Sequence, residues 1–245
     1  MDRFQEAHFW IHMLERYYHQ ADLFRWHLNA YLKAIKEAVS LIGTSLQNHP
    51  GFAAWFRGHR DLIAADPLLR RMGKHRDYVV HHGMLRLGSS GRIGITEGRG
   101  IKLGFSQRID PLMDSDEAMD RFVQGMAHAG DFFGFLANDE DSLPCVERDW
   151  RLPGLDGEVI DLCATAWMRV GRVIADTLVW LGEDRPDLNL DCRHSDRSVR
   201  FKTYDRIPLR RRLLAIRNAS GFEMDAEAQD SVDLATEPDL DGGVD

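Results

Sequence analysis

The chain has 245 residues, 44% of them hydrophobic and 29% charged, with a formal net charge of −8. That is enough apolar material for one large or two small cores, and too acidic for a protein that coats nucleic acid through bulk charge. Three scattered cysteines (Cys145, Cys163, Cys192) have no disulfide or metal spacing and fit a reducing cytosol. No signal-peptide core or apolar run of about 20 residues is present, so a cytoplasmic protein without a membrane span is expected.

The elements read in chain order as mostly helical. Phe4, Ala7, Ile11, Leu14, Tyr18 and Ala21 repeat at three and four, predicting an amphipathic helix over about 3–20. Leu28, Leu32, Ile35, Val39, Ile42 and Leu46 predict a longer one over about 22–47, broken by Asn48-His49-Pro50-Gly51. A third covers about 51–64. Asp66-Pro67 then reads as an N-cap followed by proline at the first helical position, opening a helix that runs through Arg76 and His81 to Gly83 or the glycines beyond Gly88.

The period changes next. Ile93 and Ile95, then Ile101, Leu103 and Phe105, alternate around Glu97-Gly98-Arg99-Gly100, which predicts a β-hairpin near 92–105. Asp114 with Glu117 resembles a capping box and opens a helix to about 137. A polar loop holding Pro144 and Pro153 follows, then a helix over about 156–182. The six tryptophans lie mostly at helical spacing and read as core and not as base-stacking platforms. Residues 186–222 read as a basic extension, and 223–245 as an acidic, disordered tail with nine acidic and no basic residues.

Two groups of cations stand out. Arg57, Arg60, Arg70, Arg71, Lys74, Arg76 and Arg86 cluster against Asp61, Asp66 and Asp77; Arg197, Arg200, Lys202, Arg206, Arg210, Arg211, Arg212 and Arg217 form the other. Both read either as solvated faces or as a polyanion track for which the acidic tail competes. A histidine stripe, His8, His12, Glu15 and His19, falls within about 60° of arc on the first helix and is a weak candidate metal site. No nucleotide-binding glycine loop or nucleophile elbow is found, and no cofactor is implied.

The stretch Arg76-Asp77-Tyr78-Val79-Val80-His81-His82 carries the chemistry. An arginine holds a phosphate, and a histidine moves a proton near neutral pH. Asp77 and His81, four apart, share a helix face, whereas Arg76 and His81 diverge by about 140°. Two copies facing across a two-fold axis would bring them into one groove. His82 is a second proton-transfer candidate. The pattern Arg76-Asp77-x3-His81 resembles the Rx4-6H motif of the HEPN superfamily, over roughly residues 3–180.

The resemblance implies a mainly α fold: an antiparallel HEPN-like bundle over 3–185 with the hairpin inserted. It implies a homodimeric, metal-independent endoribonuclease of a toxin or phage-defence type. RNA would be its substrate, and an antitoxin or defence protein its partner. His81 would act as general acid or base, Arg76 would stabilise the phosphorane, and Asp77 would fix the His81 tautomer. The products would carry 2′,3′-cyclic phosphates, with Arg70, Arg71 and Lys74 holding the RNA. The alternative is a catalytically silent module that binds a partner protein or a nucleotide.

Overall fold

The computed structural model describes residues 2–97, 100–127, 142–187 and 197–220. The acidic tail, Cys192 and the end of the helix expected to reach 137 lie outside them. The fold is mainly helical with a small antiparallel sheet. The helices are α1 (Asp2–Arg16), α2 (Ala21–Leu46), α3 (Phe52–Ala65), α4 (Pro67–His81), α5 (Ser115–Met126), α6 (Val159–Trp180) and α7 (Arg206–Ala219). The strands are β1 (Gly88–Glu97), β2 (Gly100–Arg108), β3 (Pro144–Arg151) and β4 (Phe201–Thr203), in sheet order β2-β1-β3-β4.

The chain divides into two compact units. One comprises Met1–Ser90, Asp110–Asp114 and Asp149–Arg200; the other comprises Gly91–Ile109, Ser115–Arg148 and Phe201–Asp245. The first holds the large core, built from the apolar stripes of α1, α2, α4 and α6 together with Trp150 and Leu152. Its aromatic residues are satisfied as well as buried. Trp150 donates its indole N–H to the Tyr18 carbonyl at 2.9 Å and stacks on Phe24, while Trp167 donates to the Phe4 carbonyl and stacks on Phe4. Tyr31 donates to the Cys163 carbonyl at 2.6 Å. A buried polar group without such a partner would cost roughly 1–3 kcal/mol.

Helix ends follow local chemistry. Asp66 caps α4, accepting from the amides of Leu68 and Leu69, and Pro67 occupies the first turn as its missing N–H allows. The α2 cap comes from far away in sequence: Asp114 accepts from the Ala21 amide at 2.6 Å. Asp114 is thereby drawn to α2, and Glu117 pairs with Arg121, so the expected capping box is not what these residues form. Glu158 caps α6 by accepting from Ile160 N–H, and its other oxygen accepts from the Tyr18 hydroxyl at 3.0 Å.

In the second unit, β3 and β4 pair antiparallel, with Val146 opposite Lys202. β3 occupies the segment expected to be a polar loop. Its charged residues hide the alternation: Cys145, Val146, Arg148 and Trp150 are buried although Glu147 and Asp149 lie between them. Gly94 on β1 stands where a side chain would collide with the backbone of Leu103 on β2. Much of the expected basic extension is also ordered structure, contributing β4 and α7. α7 packs on α5 through an Arg212–Asp120 ion pair, and the buried Arg217 donates from Nε to the Ala127 carbonyl at 2.6 Å.

Candidate functional site

A concavity among the described residues lies between α2, α3 and α4, all in the first unit. It has a volume of about 680 Å³. Its floor is apolar, built from Val39 of α2, Phe52, Phe56 and Ile63 of α3, and Leu69 of α4. Its rim is cationic: Lys36 of α2, Arg57 and Arg60 of α3, and Arg70 and Lys74 of α4, with Asp77 as the only carboxylate.

Helical periodicity explains the rim. Arg57 and Arg60 are three apart, and Arg70 and Lys74 are four apart, so each pair stacks on one helix face. Gly73 sits opposite Lys36, where an added Cβ would lie 4.0 Å from the ammonium nitrogen, so a small residue leaves room for the lysine over α4. All five cations are exposed, and none forms an ion pair among the described residues. The nearby carboxylates are engaged elsewhere: Asp66 binds Arg169 at 2.6 Å, and Asp77 binds Arg76 at 3.1 Å. Five cations without ion pairs around an apolar floor are an arrangement that can accept an anion with an apolar face.

The second cation group behaves differently. Arg200 bridges Asp149 and Asp161, Lys202 pairs with Asp116, Arg206 donates to the Ser142 carbonyl, and Arg212 and Arg217 are held as described above. These five cations tie elements together. Sequence alone cannot separate the two groups, because the difference is whether the fold supplies carboxylates or carbonyls as partners.

The expected catalytic residues are only partly brought together. Arg76 and Asp77 pair with each other, and Arg76 Nε is buried without a hydrogen-bond partner. His81 and His82 are exposed at the end of α4, and Asp77 does not reach His81. His82 makes a ring contact with Tyr78 at 5.4 Å. Of the residues expected to hold RNA, Arg70 and Lys74 line the cleft, whereas Arg71 lies against Gly154, beside His75. His75 is the buried histidine of α4. Desolvation, then the Arg71 charge, push its pKa down, against a backbone hydrogen bond to Pro153 that raises it.

The histidine stripe does not converge on a metal. His8 stacks on Trp167, His12 binds Glu15 at 2.9 Å, and His19 Nε2 lies 3.1 Å from the Val199 carbonyl. Among the described residues no group of three or more His, Cys, Asp or Glu side chains is placed to hold a metal ion. The residue that sequence reasoning missed is Lys36, the one α2 cation that lines the cleft, which joins the others only through tertiary packing. Arg57 and Arg60 were legible only as members of a charged group.

These features define a mainly helical protein with a cationic, apolar-floored cleft and no helix, among those described, long and apolar enough to cross a membrane. Over residues 1–200 the chain matches the family of bacteriophage lambda protein ea47, and it belongs to that family. The HEPN resemblance is thereby corrected. Its physical basis was thin, since an arginine and a histidine five apart point in different directions on one helix, and Asp77 turns to Arg76 and not to His81. No curated protein and no solved structure matches the chain.

Proposed function

We propose that this phage-related protein is a nucleic-acid-binding protein whose α2–α3–α4 cleft receives the phosphate backbone. The observation that carries the reading is the set of five exposed, unpaired cations lining a single cleft in a chain of net charge −8. In an acidic protein, bulk charge repels a polyanion, so binding requires such a local concentration of positive charge. The apolar floor adds a surface for the ligand's less polar parts, as in other ligand clefts of this size. A cleavage step at His81 lacks comparable support, because its imidazole is exposed and Asp77 is engaged by Arg76.

The test is fluorescence anisotropy of a labelled oligonucleotide against the full chain and the double variant Arg57→Glu/Arg60→Glu, in EDTA. Both residues are exposed, so the fold should survive, as circular dichroism would verify. The double reversal should weaken binding by roughly tenfold or more, since it removes two attractions and adds two repulsions. Equal binding by wild type and variant, or no binding by wild type, rejects the proposal.

A further inference from the structure

Trp55 and Trp180 are not used by the core in the way Trp150 and Trp167 are. Both are half-buried, and neither indole N–H has a hydrogen-bond acceptor among the described residues. They stack on each other at 5.2 Å with planes 26° apart. His59 lies 4.4 Å from Trp55 and His49 lies 5.0 Å from Trp180, which extends the aromatic surface along α3 and past the α2 end. This surface joins the cleft through one residue: Phe52 lines the cleft floor and contacts Trp55 at 6.0 Å and Trp180 at 5.6 Å. On α3, Arg57 and Arg60 face the cleft, while Trp55 and His59 lie on the adjacent face of the same helix.

We propose that the cleft and the Trp55–Trp180 shelf form one path for a single nucleic-acid strand, phosphates on the cleft cations and bases stacked on the shelf. The inference rests on the cleft being a nucleic-acid site and specifies which form it takes. A cationic groove that tracks the backbone, flanked by aromatic rings, is the physical recipe for single-strand binding. A duplex keeps its bases stacked on one another and offers phosphates alone, so it gains nothing from the shelf. A shelf that served only to close the α3–α6 contact would need no continuity with a cationic cleft.

The experiment compares three probes on the full chain: a labelled 12-nucleotide single strand, as DNA and as RNA; its duplex; and inorganic pyrophosphate. Trp55→Ala and Trp180→Ala should weaken single-strand binding by roughly 5- to 100-fold each, with Trp55→Phe recovering most of the loss. Binding of duplex and pyrophosphate should be unchanged by all three. Arg57→Glu/Arg60→Glu should weaken every probe. Single-strand binding by folded Trp55→Ala and Trp180→Ala at the wild-type level overturns the shelf while leaving the anion cleft standing. Equal loss for all three probes also overturns it, because the tryptophans would then only support the cleft. Binding of no probe by wild type overturns both. Should the alanine variants fail to fold, tryptophan quenching in wild type decides: single strand must quench and pyrophosphate must not, and no quenching by bound strand rejects the shelf.

Discussion

Glu158 should give the protein a stability that falls as pH rises from about 4.5 to about 7. Its carboxyl is buried at the start of α6, accepting from Ile160 N–H and from the Tyr18 hydroxyl. Desolvation pushes its pKa up from 4.5 to about 7; the bonds to Ile160 and Tyr18 and the nearby Arg200 oppose that shift, and Asp161 adds to it. The folded state therefore holds the proton more tightly than the unfolded chain. Below pH 4.5 both states are protonated, and the favourable contribution is fully present. As pH rises the unfolded chain ionises first and is stabilised, and the contribution is lost until the folded carboxyl also ionises near 7.

A shift of this size corresponds to about 3 kcal/mol. Glu158→Gln cannot ionise, but it replaces two acceptor oxygens with one and so costs about 1 kcal/mol of hydrogen bonding. The variant should thus be slightly less stable than wild type at pH 4.5 and about 2 kcal/mol more stable at pH 8. His75, whose lowered pKa removes stability as pH falls below its ordinary 6.5, contributes equally to both proteins and cancels in the difference. Urea unfolding of both proteins at several pH values measures it. A stability difference that stays constant from pH 4.5 to 8 refutes the reasoning.

Two further perturbations test the scaffold around the cleft. Asp66→Ala removes the α4 cap and the partner of Arg169, and should cost roughly 1–2 kcal/mol in urea unfolding, while Asp66→Asn, which keeps a capping oxygen, should cost less. Gly51 precedes α3 as its N-cap at φ +79°, beside Trp180, and Gly51→Ala should cost about 1–2 kcal/mol and lower the thermal midpoint; an unchanged midpoint would contradict the left-handed geometry.

The helices were legible because their apolar stripes are long and periodic: α2 is expected over about 22–47 and found at Ala21–Leu46, and the Asp66-Pro67 signal marks the start of α4 to the residue. β3 was not legible, because Arg148 and the charges flanking it mask a buried alternation that only the neighbouring strands and the partners of Arg148 make tolerable. α7 was hidden for a related reason: its arginines read as a solvated track until α5 supplies Asp120 and the Ala127 carbonyl. The expectation that tryptophans belong to the core holds for Trp150 and Trp167, whereas Trp26 is more than half exposed and Trp55 and Trp180 are only half-buried. Arg70, Arg71 and Lys74 read from sequence as RNA-holding cations, of which Arg70 and Lys74 line the cleft; Lys36 is not legible, since no local pattern on α2 shows that α4 lies opposite it.

The salt dependence of single-strand affinity tests the cleft most directly. If the five rim cations contact phosphates, the logarithm of the binding constant should fall with the logarithm of salt concentration with a slope near −3.5, from about −0.7 per neutralised phosphate, and Arg57→Glu/Arg60→Glu should make it shallower by about 1.4 or more. A slope near zero for the wild type, or one that the double reversal leaves unchanged, contradicts the account.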